Sequence, residues 1–329
     1  MVASHRFGDP ATPKSLNWGS AGPARVPVSP RKGGGRVGTR YCELGLNGSL
    51  PRLPGGGLSS NTEPRSVARL VPVPAVVLVT AASRGIGFAS ARAFLEEGAR
   101  VVINSSSPGR LSEAVKRLRG LGDVYGAVAN LENHDDLDRL VREAVGHLGG
   151  IDTFVYVTGS PKPGVFLEQS YGDWESAARL LVVSPSYLAR RVAEVMLQDS
   201  VKGRMVFLAS VAIREPIPTI ALSNVCRIAI AGLVRTLARE LGPKNIRVNG
   251  ILPGYIKTDR VDEVLNDAAR RRSITPEQAL KDLEGEIPLG HIGSPTELAR
   301  TVVFLGSEMS SYVSGALIPV DGGLLHSVG

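Results

Sequence analysis

Residues 75–329 read as α/β, a doubly wound parallel sheet with helices on both faces, and three observations lead there. Short apolar runs without polar alternation recur along the stretch, the pattern of strands buried on both faces. Segments with apolar residues at helical spacing lie between them. A glycine-rich turn joins the first run to the first such segment.

The elements follow in order. "AVVLVT" (75–80) is the first strand, and "FASARAFLEEGA" (88–99) the helix after the turn "AASRGIG". "RVVIN" (100–104) and "DVYGAVAN" (123–130) are strands, with "PGRLSEAVKRLRG" (108–120) a helix between them. "HDDLDRLVREAVGHLGG" (134–150) is the next helix. "IDTFVYVTG" (151–159), "RMVFLAS" (204–210), "IRVNGILPG" (246–254) and "GALIPVDGG" (315–323) complete the strands. Right-handed crossovers then place a ligand site at the carboxyl ends of the strands. No repeat and no second domain interrupts the series.

Composition narrows the function classes. The net charge of +7 lies entirely in residues 1–74, which carry ten basic and three acidic residues, while the remaining 28 basic and 28 acidic residues cancel. A nucleic-acid partner would therefore have to act through that extension. Gly- and Pro-rich stretches such as "RKGGGRVG" and "PRLPGGGLSS" make residues 1–74 an expected disordered basic extension to a 75–329 domain. It fits a basic arm, a transit peptide or translated upstream sequence. The last is preferred, because the domain needs nothing before Ala75. No apolar run approaches the ~18–20 residues of a membrane span. Cys42 and Cys226 give neither a disulfide framework nor a metal site. The expectation is a cytoplasmic protein without a metal or membrane partner.

The turn "TAASRGIG" (80–87) sets backbone N–H groups and a helix N-terminus where a pyrophosphate could sit. Thr80, Ala81, Gly85 and Gly87 match T-G-x-x-x-G-x-G, and "RVNGILPGYIKT", "PLGHIGSPTELARTVVFLGSE" and "SGALIPVDGG" extend the match. On these residues the domain resembles the short-chain dehydrogenase/reductases, especially the 3-oxoacyl-carrier-protein reductases. The resemblance implies a Rossmann-type sheet, a nicotinamide dinucleotide, a carbonyl/alcohol or acyl-thioester substrate, and a homo-oligomer (tetramer or dimer) paired through helices near 184–200 and 219–241. It implies a cofactor site formed by Thr80, Ser83, Arg84, Gly85, Ile86, Gly87, Ser105, Ser106, Asn130, Gly159, Pro253, Gly254, Ile256 and Thr258. Ala81 replaces the first glycine, a cost on the order of 1 kcal/mol if that position has positive φ. No acid follows "RVVIN", where Ser105 and Ser106 stand, and Arg84 precedes Gly85, so NADP(H) is favoured over NAD(H).

The family's catalytic set is Asn, Ser, Tyr and Lys. Ser210 keeps the serine, but the tyrosine and lysine positions hold Ser223 and Arg227, in a register fixed by Gly232 and Leu233. The asparagine position holds Leu181, and the N-N-A-G turn reads Tyr156-Val157-Thr158-Gly159. A serine hydroxyl is a far weaker acid than tyrosine's, and arginine does not deprotonate near neutrality. Ser223 and Arg227 share a helix face at i,i+4, where Arg227 could hold ribose hydroxyls or a substrate anion. Tyr255 and Tyr156 are the candidate replacement acids, ahead of Tyr187, Lys162 and His291. The charged segment 259–293 takes the lid position, and its Arg270–Arg272 run suits either an anionic carrier or a solvated, ion-paired face. Two readings result: an NADP(H)-dependent oxidoreductase, or a catalytically impaired dinucleotide-binding or scaffold protein.

Overall fold

The computed structural model describes residues 75–328. The expectations for residues 1–74 fall outside the described residues. The seven predicted strands form one parallel sheet: β1 (Val76–Val79), β2 (Arg100–Ser105), β3 (Val124–Val128), β4 (Thr153–Tyr156), β5 (Arg204–Leu208), β6 (Arg247–Pro253) and β7 (Leu317–Val320). Their order is β3-β2-β1-β4-β5-β6-β7. The winding direction reverses between β1 and β4, which opens a crevice at their carboxyl ends.

Among the described residues, ten α-helices accompany the strands. They are α1 (Gly85–Glu96), α2 (Pro108–Leu118), α3 (His134–Leu148), α4 (Tyr171–Ala178), α5 (Ser184–Gln198), α6 (Ala221–Cys226), α7 (Ile228–Leu241), α8 (Asp259–Arg272), α9 (Pro276–Glu286) and α10 (Pro295–Leu305). The unbroken apolar runs are explained by burial on both faces. Val77, Val79 and Val155 pack with Ala91, Phe94, Leu298 and Val302 on one side. Leu78, Phe154, Tyr156 and Phe207 pack with Leu140, Leu188, Val192 and Val234 on the other.

The strand alternation overturns one expectation. Tyr156 shares the face of Phe154, its ring lies 6.1 Å from that of Phe207, and it is fully buried. It belongs to the core, not to the crevice. The helix expected through "LSNVCRIAIAGL" also departs from regularity. The Ile230 N–H bonds to the Arg227 carbonyl only three residues back, tightening the chain into a turn between α6 and α7.

The segment 259–293 folds as two helices with a small core of their own, Val261, Leu265, Ala269 and Ala279, against which Tyr255 packs. The Arg270–Arg272 run is ion-paired: Arg270 and Arg271 with Asp267, Arg271 also with Glu168, and Arg272 with Asp282. That is the solvated-face alternative, and the carrier alternative loses its free cations.

Candidate functional site

The crevice is a cleft of about 560 Å³ at the carboxyl ends of β1, β2, β4, β5 and β6. Its floor begins with the glycine-rich turn. The Thr80 hydroxyl donates to the Val157 carbonyl at 2.5 Å, and the Val157 N–H donates back to Thr80 Oγ1 at 2.9 Å. These bonds stitch β1 to the segment leaving β4. Thr80 is fully buried and absent from the cleft wall, so its expected cofactor contact is replaced by an internal role.

Gly85 has φ +54°, and a Cβ on Gly87 would lie 2.6 Å from the Ala81 carbonyl oxygen. The turn therefore closes onto α1 only with glycine at both places. The first turn of α1 contains no acidic side chain, and Arg84 at its N-cap makes no side-chain cap. Its N–H groups, with the positive end of the helix dipole, suit a pyrophosphate.

Ala81 has φ +46°, in the left-handed region where alanine is strained. Ala81→Gly is expected to stabilise the fold by about 1 kcal/mol, raising Tm by roughly 2–4 °C in thermal unfolding. An unchanged or lower Tm would show that the turn relaxes the strain elsewhere.

Asn104, which sequence reasoning took only as a strand residue, holds this turn in place. It is buried, its Oδ1 accepts the Ala81 N–H at 3.2 Å, and its Nδ2 donates to the Ala127 and Ala129 carbonyls at 3.3 and 2.9 Å. The signal was a polar residue closing the apolar run "RVVIN". Arg110, also unanticipated, joins Arg84 on the cleft wall beside Ser106.

The remaining expected nucleotide residues gather around the same cleft: Ser83, Ile86, Ser105, Ser106, Asn130, Gly159, Pro253, Gly254, Ile256 and Thr258. Several are already bonded. Ser105 Oγ lies 3.1 Å from Ser83 Oγ and accepts the Ser107 N–H at 3.2 Å. Asn130 Oδ1 accepts the Glu132 N–H, and its own N–H donates to Asp136. Arg84 pairs with Asp259 at the start of α8, both side chains well exposed. The turn and the lid helix thus meet across the cleft mouth. A second recess of about 810 Å³ lies at the lid between Pro163 and α8–α9 and shares Glu263 with the cleft.

Ser210, Ser223, Arg227 and Tyr255 all line the cleft. Ser210 Oγ accepts the Ala212 N–H at 3.1 Å. Arg227 is buried; its Nε donates to Ser223 Oγ at 3.0 Å and its Nη1 to the Ala209 and Leu208 carbonyls at 3.1 and 3.4 Å. These bonds orient the guanidinium on Ser223 and the end of β5, on the wall of the cleft. Behind α6, Leu181 packs with Ala177, Leu222 and Cys226. Leu181 itself sits fully buried in the π-turn Arg179–Val183.

The candidate acids fare unequally. Tyr156 donates to the Leu180 carbonyl at 2.6 Å, and burial pushes its pKa up. Burial, reinforced by Glu286, also raises the pKa of Tyr255, making it a weaker donor. Tyr187 is bonded to Asp138, away from the cleft. Lys162 pairs at 2.9 Å with Asp173, whose pKa is drawn down to about 2 by Lys162 and by Ser170. His291 is exposed, with Nδ1 3.0 Å from the Leu289 carbonyl.

Comparison with known proteins agrees with this geometry. Residues 80–325 match the enoyl-(acyl carrier protein) reductase family. A human relative, dehydrogenase/reductase SDR family member 2, mitochondrial, is 35% identical over 249 residues, covering 75% of this chain and 85% of its own. The 3-oxoacyl-[acyl-carrier-protein] reductase of Thermotoga maritima is 31% identical over 251 residues, covering 76% and 97%. The crystal structure of L-sorbose reductase from Gluconobacter frateurii, complexed with NADPH and L-sorbose, superposes with a TM-score of 0.75 at 29% identity, covering 79% of this chain and 100% of its own. On these matches, over a parallel sheet with a glycine-rich turn at its cleft, the chain belongs to the short-chain dehydrogenase/reductase family of NAD(P)-dependent oxidoreductases.

Proposed function

We propose that this protein is an NADP(H)-dependent oxidoreductase moving hydride between the cofactor and a carbonyl-bearing substrate, with acyl thioesters and hydroxylated ketones as the substrate classes to test first. One observation carries the reading: the open N-terminus of α1 and the hydroxyls of Ser210 and Ser223 line a single cleft. The reduced nicotinamide, when bound, supplies the hydride. The chain's own part is to seat the pyrophosphate on the first turn of α1 and to orient the carbonyl oxygen with Ser210 and Ser223. Arg227 adds positive charge behind Ser223, where burial makes it effective.

The preference for NADP(H) rests on Arg84 and Arg110 near the end of β2, with Ser105 and Ser106 where an acid would repel a 2′-phosphate. A relative's complex with NADPH supports it. Arg84→Ala is expected to weaken NADPH at least fivefold while leaving NADH within twofold, read by titrating cofactor fluorescence. Equal losses for both would remove Arg84 from the 2′-phosphate site. No quenching or thermal shift at millimolar NADPH would overturn the whole reading.

The loss of tyrosine and lysine at positions 223 and 227 favours a second reading, a dinucleotide-binding protein without turnover. A carbonyl panel showing cofactor binding but no oxidation would select it. We also propose a homo-oligomer. The 24-residue helical run Ala221–Lys244 contains an 18-residue window of mean hydropathy 1.3, long and apolar enough by those measures to cross a membrane. Its Ile230, Val234 and Leu241 belong to the core cluster, while Val225 and Ile228 are exposed, apolar groups suited to pairing with a second copy. The same proposal places the protein in the cytoplasm, where the buried free thiol of Cys226 stays reduced.

A further inference from the structure

We infer that Asp259, the first residue of the lid helix α8, limits how far a phosphorylated dinucleotide is preferred over an unphosphorylated one. It does so by holding Arg84, the guanidinium that otherwise meets the 2′-phosphate; the inference rests on the NADP(H) reading above. Arg84 and Asp259 stand 175 positions apart in the chain, so only the fold brings them together. The two ends of the lid are tied to each other: Ile256 bridges Gly293, the Lys257 N–H donates to the Gly293 carbonyl at 2.8 Å, and the Gly293 N–H donates to the Tyr255 carbonyl at 3.0 Å. Thr258 follows, its hydroxyl donating to the Ile256 carbonyl at 3.2 Å. Its methyl comes so near the glycine-rich turn that a Cβ on Gly85 would lie 3.3 Å from it. Helix α8 therefore starts against the turn, and its first residue meets Arg84.

The charges on this wall are unequal in what they can offer. Arg84 and Arg110 both line the cleft with Ser105 and Ser106. Arg110 makes no ion pair among the described residues, whereas Arg84 is engaged by Asp259. A guanidinium fork fits a carboxylate or a phosphate in the same way, so Asp259 and a 2′-phosphate compete for the same N–H groups. The side chains of Arg84 and Asp259 are 58% and 67% exposed, and an exposed pair is worth only about 1.5- to 5-fold in an equilibrium constant. A phosphate monoester, with a charge of roughly −1.5 to −2 near neutrality, displaces such a partner. NADP(H) therefore binds, but more weakly than it would to an unengaged Arg84. An unphosphorylated cofactor leaves the pair in place and loses nothing.

A plainer role for Asp259 makes a different forecast. An acid in the first turn of a helix stabilises that helix through its dipole, and Asp262 shares the position with Asp259. That role touches stability and both cofactors alike. Competition for Arg84 touches the phosphorylated cofactor alone, and a residue on the lid then joins the end of β2 in setting cofactor choice.

The test titrates NADPH and NADH fluorescence on the full chain and its variants. Asp259→Asn should tighten NADPH at least twofold and leave NADH unchanged, raising the ratio of the two affinities. Asp259→Glu, which keeps the charge, and Asp262→Asn, which removes the neighbouring one, should both keep the ratio of the unmodified protein. In an Arg84→Ala background Asp259→Asn should no longer shift the ratio, because no guanidinium remains to be released. An unchanged ratio in Asp259→Asn, an equal gain for both cofactors, or a gain that persists without Arg84 would overturn the inference while leaving the NADP(H) reading intact. Equal losses of both cofactors in Arg84→Ala, or no NADPH binding by the unmodified protein, would remove the reading and the inference together.

Discussion

Asn104→Leu is expected to cost roughly 2–5 kcal/mol of stability and to weaken NADPH binding at least tenfold in the protein that remains folded. The side chain is almost the same size, so the cost is polar and leaves no cavity. Leucine strands the partly buried Ala81 N–H and removes both donors to the Ala127 and Ala129 carbonyls. Ala81 already occupies a strained φ of +46°, and its bond to Asn104 is part of what keeps it there. Without that bond the turn can relax toward negative φ, swinging the segment before Gly85 away from the cleft floor. Thermal unfolding should show a Tm lower by roughly 4–20 °C, and NADPH titration a loss of at least tenfold. Asn104→Asp keeps the acceptor for Ala81 and should fall between the two. If Asn104→Leu lowers Tm but binds NADPH normally, the turn is held by Thr80 and Gly87 instead.

The sheet was legible because burial on both faces leaves a strong mark: a central strand such as "RMVFL" has no polar residue after its first, and it is buried throughout. The cleft was legible through the resemblance, since glycine-rich turn, second-strand end and "LPGYIKT" meet only in the fold. Residues whose role depends on direction were less so. Tyr156 follows β4's alternation into the core by a single step, while Thr158, two residues on, lines the cleft. Thr80 sits within the motif yet turns inward to Val157. Arg227 can reach many groups from one Cα, and only packing shows that the end of β5 is among them. Asn104 escaped notice because a polar residue at a strand end is common and its three partners come from two other segments of chain.

The double change Ser223→Tyr with Arg227→Lys should raise ketone reduction at least tenfold. General acid catalysis is ordinarily worth ~10²–10⁴ in rate, and the expected gain sits at the low end for a structural reason. A tyrosine at 223 extends from α6 into the cleft that Ser223 lines, and a lysine four residues on can lower its pKa, as the unmodified arginine lowers nothing that titrates there. Leu181 and Leu222 still close the interior, so the phenol must regain its proton from the cleft side. The pH profile distinguishes this from a mere change in binding. A tyrosine donor is active while protonated, so the variant's ketone kcat should fall as pH rises through the new phenol's pKa; the parent, with serine and arginine, should lack that limb. A rise in ketone turnover without the alkaline limb would mean that position 223 does not face the reacting oxygen. Lysine forfeits arginine's reach to both the Ala209 and Leu208 carbonyls, so stability should fall, and Ser223→Tyr alone, which keeps Arg227, separates that loss from the chemistry.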